Sequence, residues 1–379
     1  MHATRRAFSL LAVAAVLSAC SSNLLGGRPS VSRPPGTVAN AGYDAWVEGF
    51  RKRAEAKGIS RQTLDAAFAN AGYTPEVIVQ DRNQTEFNRT LEEYLAIAAS
   101  DERVAKGRAN YARYRTALEQ IEATYGVDGH VVVAVWGLES MYGERGGDVP
   151  VVSALSTLAY EGRRGSFFES QLVAALKILQ NGDISPQQMT GSWAGAMGHT
   201  QFIPTSYLGY AVDFTGDGRR DIWSDDPTDA LASTASYLKR AGWRTGQAWG
   251  GEAGSPGASV AGGRRIQPHA GGPVFVVGPN FDVIRRYNNS TNYAIGVGHL
   301  ADRIAGAGPI SGTFPPDRYG FTADQRKALQ AGLKERGFDA GTVDGVFGTQ
   351  TRAAISAYQR QNGLAVTGEP SMELLMRLG

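Results

Sequence analysis

DGHVVVAVWGLESMYG, residues 128–143, is the stretch on which the reading of this 379-residue chain turns. Val131, Val132, Val133, Ala134, Val135, Trp136, Leu138 and Met141 make it apolar nearly all round, and a helix without a polar face belongs in a core. Asp128 is placed to cap its N-terminus and Gly143 to stop it. The only carboxylate inside it is Glu139, one turn from Val135, Trp136, Tyr142 and Gly143. Burial favours the neutral form of a carboxyl group, and a Glu that keeps its proton near neutral pH can act as a general acid. A Glu at the exposed end of a mostly buried helix would read the same way, so the helix alone leaves both roles open.

Composition narrows the field. Apolar residues make up 42%, enough for a sizeable core, and the length allows more than one domain. There are 38 basic and 36 acidic residues. Removing residues 1–19 takes away Arg5 and Arg6 and no acid, which balances the charge; nothing points to nucleic acid. The single Cys excludes an internal disulfide, and the five His show no zinc spacing. No P-loop, G-x-S-x-G elbow or dinucleotide fingerprint is present.

The N-terminus reads as an address. Arg5 and Arg6 precede an apolar run from Phe8 to Leu17, too short to span a bilayer, and small residues precede Cys20. Leu17-Ser18-Ala19-Cys20 resembles a bacterial lipobox, in which the Cys is lipidated and becomes the new N-terminus. Ser21 in place of Asp resembles outer-membrane sorting, and Thr4 to Phe8 also looks like a twin-arginine signal. Residues after Cys20 up to 41, rich in Ser, Gly, Pro and Asn, read as a tether.

Helical periodicity runs from Tyr43 to Tyr125: one helix from Asp44, one after Ser60, one over 90–99 carrying Tyr94, and one long helix over 101–125. Another spans 167–181. Residues 191–204 read Gly-Ser-Trp-Ala-Gly-Ala-Met-Gly-His-Thr-Gln-Phe-Ile-Pro, short of charge and rich in small residues that let backbone approach a ligand. Ser192 and Gln201 could hydrogen-bond a neutral polar ligand such as a sugar. Residues 244–280 are Gly-rich, with a strand-like Val274 to Val277, and predict a small β excursion.

Taken together, Glu139-Ser140 with Tyr142-Gly143, the Ala-Gly-Ala-Met-Gly-x-x-Gln-Phe-x-Pro run and Arg163-Arg164 resemble the membrane-bound lytic murein transglycosylase B family over about residues 43–305. The resemblance implies a lysozyme-like fold that cleaves peptidoglycan. It implies that Glu139 is the catalytic acid and that Ser192, Met197, Gln201 and Phe202 line the sugar groove. By the same resemblance, Arg163 and Arg164 suit peptide carboxylates or lactyl groups. Tyr237 becomes a groove tyrosine, Tyr287, Asn288 and Tyr293 form a far wall, and Tyr94 is a further aromatic. Sugars stack on such rings; core packing is the blander reading for each Tyr.

Residues 213–224 look like a calcium loop. Asp213, Thr215 and Asp217 occupy positions 1, 3 and 5, Gly218 makes the turn, Arg219 offers its carbonyl and Asp221 sits at position 9. The resemblance implies an EF-hand-like site there. Position 12 is Ser224 where a bidentate Glu is usual, so Asp226 or Asp229 would have to close the cage; a metal-free acidic turn is the alternative. No cofactor is expected for the chemistry.

After a Gly- and Pro-rich linker, residues 322–378 carry L-x-x-x-G, V-D-G-x-F-G, T-x-x-A-x-x-x-Y-Q and G-L-x-x-T-G. They resemble the three-helix peptidoglycan-binding module. The expected architecture is mainly α: a signal peptide (1–19), a tether (20–41), a lysozyme-like catalytic domain with a helical extension and a small β excursion (42–305), a linker (306–321) and a small three-helix peptidoglycan-binding domain (322–379). The expected partners are peptidoglycan glycan strands and an outer-membrane lipid anchor at Cys20, with a monomeric protein in the periplasm.

Ordinary glycosidases need two carboxylates. Glu144 and Asp148 fall past Gly143 in a polar turn, leaving Glu139 alone. One suffices in the family's reaction, where the substrate's own C6 hydroxyl closes a 1,6-anhydro ring. A lysozyme-type hydrolase and a non-catalytic wall-binding lipoprotein are the competing readings.

Overall fold

The computed structural model describes residues 36–82 and 89–379. The expected signal peptide, Cys20 and most of the tether lie outside the described residues. Among the described residues sixteen α-helices carry the fold, with a two-stranded pairing of Val149–Pro150 with Thr190–Gly191 and a three-stranded antiparallel sheet. That sheet has Phe275–Val277 in the middle, flanked by Gly250–Glu252 and Arg264–Ile266, and is the expected β excursion. Among the described residues no helix is long and apolar enough to cross a membrane.

The central helix is Gly129–Ser140. Asp128 caps it, accepting from the His130 N–H at 2.7 Å, and Val132, Val133, Ala134 and Val135 are fully buried. It packs against Thr291–Ile304, Asp101–Arg113, Thr228–Arg240 and Arg115–Tyr125, which is why it tolerates apolar residues on every side. It stops at Ser140, earlier than Gly143 suggests. Met141 and Tyr142 both adopt left-handed φ, 51° and 59°, before Gly143 at 91°. The reason is tertiary. Tyr142 folds back so that its hydroxyl donates to the Arg103 carbonyl at 2.7 Å and its ring meets Trp136 edge-on. Gly137 makes room, since a Cβ there would lie 2.6 Å from that ring.

Two cores flank this helix. The first gathers the central helix with Leu91, Leu95, Phe281, Tyr293 and Leu300. The second gathers Phe50, Leu155, Leu172, Met197, Phe202 and Tyr207. Tyr237 and Tyr287 pack against both and so mark the seam. The expected long helix over 101–125 is two helices broken at Tyr114, and Pro75–Arg82 forms a helix that the periodicity does not reveal.

The C-terminal helices Ala323–Glu335, Thr349–Gln361 and Met372–Leu378 surround a third core of Phe321, Leu329, Leu333, Ile355 and Leu374. A Thr322/Gln325 capping box starts the first of them. Buried Arg326 ties this unit to the rest by pairing with Glu92, beside the capping box that Thr90 and Glu93 form on Leu91–Ala98.

Candidate active site

Glu139 lies half-buried in the last turn of the central helix, in a cavity of about 280 Å³. Arg89, Tyr94, Arg103, Leu138, Asn288 and Tyr293 are among its walls, and Glu139 is the only carboxylate among the described residues that line it. Glu144 instead turns to Lys106, 2.7 Å away. The Tyr293 hydroxyl donates to Glu139 Oε1 at 2.5 Å. Burial, and then the Glu139 charge, hold the Tyr293 hydroxyl well above its ordinary value, so it remains a donor at neutral pH. Ser290 supplies the cap that starts this tyrosine's helix.

The carboxylate is fixed from behind by its own helix end. Ser140 Oγ donates to the His199 carbonyl at 2.9 Å and accepts from the Gly143 N–H at 3.1 Å. His199 Nδ1 accepts from Trp136 Nε1 at 3.0 Å, while its Nε2 lies 2.7 Å from the Ser224 carbonyl. This pattern fits a neutral ring with its proton on Nε2. The run 191–204 is therefore stitched to the Glu139 helix through Ser140 and His199. Non-glycine left-handed residues store strain at about 1–3 kcal/mol each. Among the described residues there are three, Met141, Tyr142 and Gln201, and all border this junction.

The expected groove residues divide into three groups. Tyr94, Asn288 and Tyr293 line the Glu139 cavity. Tyr287 stacks on Tyr293 at 6.5 Å and donates to the Thr200 carbonyl at 2.7 Å; burial first, and then the Glu139 charge, raise its hydroxyl well above the ordinary value. Tyr237 lies tilted against it, ring centroids 4.8 Å apart, and donates to the Arg286 carbonyl. Gln201 spends its amide on the Gly146 and Gly198 carbonyls, both at 2.9 Å, and Ser192 Oγ accepts from the Ala196 N–H.

One expectation needs correction. Met197 is 0% and Phe202 2% exposed. They belong to the second core and shape the groove from behind, with no surface to offer a sugar. Arg163 and Arg164 both close on buried Asp81, at 2.5 and 2.6 Å, and are not among the lining of the Glu139 cavity. Their guanidiniums, with burial working in the other direction, hold the Asp81 carboxyl below its usual range.

Two residues went unnoticed in the sequence. Arg103 and Arg89 line the Glu139 cavity. Arg103 sits in the polar first turn of an amphipathic helix, and no local pattern separates it from a solvated charge.

The acidic loop brings Asp213, Asp217 and Asp229 together, with one oxygen of each within 4.8 Å of the others. Asp229 closes the cluster, as one of the two anticipated residues. Asp226 is spent capping Thr228. Asp221, expected as a ligand, turns its Oδ1 to the N–H groups of Trp223 and Ser224. The Thr215 hydroxyl points to Asp213 at 3.5 Å. Three hard oxygen donors, together with the Arg219 carbonyl in the same loop, suit a calcium ion. The loop carries the chain from Pro204–Tyr210 into Thr228–Arg240, so an ion here would brace the groove. A larger cleft of about 880 Å³ lies between this loop and Gly143–Gly147, bordered by His199 and Trp223. Glu139 is not among its lining residues.

Known proteins resemble this chain in sequence and fold. The family model for the transglycosylase SLT domain matches residues 42–268 and 259–302, and that for a peptidoglycan binding domain matches 322–378. Membrane-bound lytic murein transglycosylase B of Escherichia coli is 30% identical over 79% of this chain and 98% of its own length. Among solved structures, SltB3 from Pseudomonas aeruginosa, in complex with NAG-anhNAM-pentapeptide, is 44% identical with a TM-score of 0.70, covering 89% of this chain and all of that one. The Escherichia coli lytic transglycosylase Slt35, in complex with calcium, is 29% identical with a TM-score of 0.61, covering 74% of this chain and 98% of that one. On its matched domain, its length-wide identity and its shared architecture, this chain belongs to the lytic transglycosylase family typified by membrane-bound lytic murein transglycosylase B.

Proposed function

We propose that this protein is a lytic transglycosylase that cleaves the bond between N-acetylmuramic acid and N-acetylglucosamine and leaves 1,6-anhydromuramic ends. The observation that carries this reading is the lone carboxylate: Glu139 is held by Tyr293 in a cavity with no second acid among the described lining residues. Two-carboxylate hydrolysis has no partner there. Glu139 first gives its proton to the glycosidic oxygen as the bond to the muramyl C1 breaks. The muramyl 2-acetamido group stabilises the positive charge at C1. Glu139, now a carboxylate, takes the proton of the muramyl C6 hydroxyl as that oxygen closes on C1. Water is neither consumed nor needed, and no cofactor enters. Tyr293 fixes the orientation of the carboxyl through both proton transfers.

The glycan would lie along the seam between the two cores. Tyr94, Tyr237, Tyr287 and Asn288 would supply ring faces and polar tips, and Ser192 and Gln201 backbone-anchored contacts. Met197 and Phe202 would act through shape. Arg163 and Arg164, two cations on one acid, would leave net positive charge for peptide carboxylates at the groove's margin. Asp213, Asp217 and Asp229 with the Arg219 carbonyl would hold a structural calcium. Residues 42–305 form the catalytic unit in this reading, 306–321 the linker and 322–379 the wall-binding module.

The family works on murein, which places the protein in the cell envelope. Processing after residue 19, lipidation of Cys20 and attachment to the outer membrane by the 20–41 tether are the finer form of that placement, with the protein acting as a monomer.

Mass spectrometry of fragments released from purified sacculi tests the reaction. The wild type should release fragments ending in anhydromuramic acid, and Glu139→Gln none. Reducing-end fragments would make the enzyme a hydrolase. Binding without fragments from either protein would make it a wall-binding lipoprotein.

A further inference from the structure

The Glu139 cavity contains two cations that the reaction above does not use. Arg103 is 9% exposed, and among the described residues its guanidinium makes one hydrogen bond, donating from Nε to Met141 Sδ at 3.3 Å, a weak acceptor. Among the described residues no carboxylate comes within ion-pair distance of it. The nearest acid in sequence, Glu102, is held by Lys106 at 3.0 Å, and Glu144 by the same lysine. Tyr142, Tyr94 and the like-charged Arg145 also act on Arg103, and Glu139 lines the same cavity without coming within ion-pair distance of it. Arg89 lines the same cavity and is likewise without an acid partner among the described residues.

A guanidinium cannot shed its proton to escape burial. Left unpaired it is a standing penalty, unless something outside the chain completes it. Its planar fork matches a carboxylate bidentately. We propose that Arg103 and Arg89 form a carboxylate-binding subsite in the Glu139 cavity, which reads an acid group on the C3 substituent of the sugar being cleaved. The inference rests on the murein reading above and deepens it.

The chemical need is register. A glycan that alternates N-acetylglucosamine and N-acetylmuramic acid presents two kinds of linkage with the same bond geometry. The two sugars differ at C3, where the muramyl ring carries a lactyl ether. Its acid is free in a stem-free glycan; in a stem-bearing one it is an amide, and the carboxylates lie further along the peptide. Either source offers the same group to the fork. Arg89 also borders a crevice of about 510 Å³ where Thr90 and Glu93 face Arg318, Tyr319 and Arg352 of the C-terminal region. Arg163 and Arg164, closed on Asp81 and outside the cavity lining, do not fill this role at the reacting ring.

The test is titration calorimetry with full-length protein carrying Glu139→Gln, so that ligands stay intact. The ligands are four tetrasaccharides of alternating N-acetylglucosamine and N-acetylmuramic acid. One has free lactyl acids and the second lactyl methylamides. The third carries L-Ala-D-Glu stems and the fourth the same stems as carboxamides. Neutralising the acid should weaken binding roughly ten- to hundredfold, the range of hydrogen bonds to charged groups. Loss within the first pair identifies the lactyl acid, and loss within the second pair the stem. Adding Arg103→Gln should level the affected pair to within about threefold, Arg103→Lys should restore part of the difference, and Arg89→Gln should remove part of it. Equal binding within both pairs would overturn the subsite without needing any arginine variant. So would discrimination that survives Arg103→Gln. Failure of all four to bind would instead sink the murein reading, and the subsite with it.

Discussion

Two buried arginines in this molecule live under opposite terms. Arg326, at the joint between the C-terminal helices and the catalytic body, is 1% exposed. It donates to the Gly345 carbonyl at 2.6 Å and the Phe321 carbonyl at 3.1 Å, lies 3.4 Å from Asp317, and pairs with Glu92. Arg103, in the Glu139 cavity, has a thioether and, among the described residues, no acid. A charge whose task is to hold structure is surrounded by its own chain's acceptors. A charge left wanting beside Glu139 is, in the proposed reading, held for something that arrives. The joint is finished without ligand and the cavity is not.

The largest effect belongs to the cavity. Glu139→Gln keeps shape and the Tyr293 contact while removing the proton that moves. Turnover of sacculi should fall by about a thousandfold or more, with the melting temperature nearly unchanged. A mutant that retains a tenth of the rate would remove Glu139 from the chemistry and with it the reason to treat this cavity as special.

Next comes the joint. Arg326→Met strands Asp317 and Glu92, whose side chains are 3% and 19% exposed. Breaking one side of such a buried network typically costs about 3–5 kcal/mol. Urea unfolding followed by limited proteolysis should show the C-terminal helices opening first, while cleavage of short soluble glycans persists. An unchanged midpoint would mean that the joint is not built as described.

A third buried charge shows what a carboxylate can do and a guanidinium cannot. Asp302 accepts from Trp249 Nε1 at 3.0 Å, and burial raises it from the usual 3.8 to about 6. The folded state therefore binds its proton more tightly than the unfolded chain does. That contribution is fully present below about pH 3.8 and is lost as pH rises through about 6. Three residues earlier on the same helix, His299 is lowered to about 4, chiefly by burial. Its contribution runs the other way, present above about 6.5 and lost as pH falls through about 4. The two slopes oppose each other between pH 4 and 6.5. Asp302→Asn should raise stability at pH 7.5 by about 2–3 kcal/mol, change little near pH 4, and uncover the acid loss due to His299. Denaturant midpoints at the two pH values check it; equal gains at both would assign the effect to packing.

How much of this could be read beforehand follows from how local each feature is. The central helix was legible because eight apolar residues and a capping Asp128 lie side by side in sequence. Glu139 stood out because it is the one acid among them. The C-terminal unit announced itself through four short motifs in order, three of them carrying glycines. What escaped depends on distant contacts. The helix ends at Ser140 because Tyr142 reaches the Arg103 backbone, and Met197 and Phe202 are withdrawn from the groove by a core assembled from elsewhere in the chain. Arg163 and Arg164 were visible as a pair, but Asp81, which holds them, was not. Arg103 was invisible for a related reason: its surroundings come from three separate helices, and its distinguishing mark is the absence of a partner.

The smallest predicted effect decides whether the comparison of the two arginines holds. Arg103→Gln leaves no acid behind, because among the described residues none is paired with it. It also removes a charge whose burial draws the guanidinium below its ordinary value. The Tyr142 hydroxyl bonds the Arg103 backbone carbonyl, which the substitution keeps. The lost terms are the weak bond to Met141 and some stem packing; the gained term is relief of an unpaired charge. The net change in unfolding free energy should therefore stay within about 1 kcal/mol of zero, several-fold smaller than for Arg326→Met despite similar burial. A loss for Arg103→Gln as large as that for Arg326→Met would show that Arg103 serves the fold. A near-zero change in stability, with altered glycan binding, would separate the two arginines by what completes each: the chain's own acids at the joint, and the substrate in the cavity.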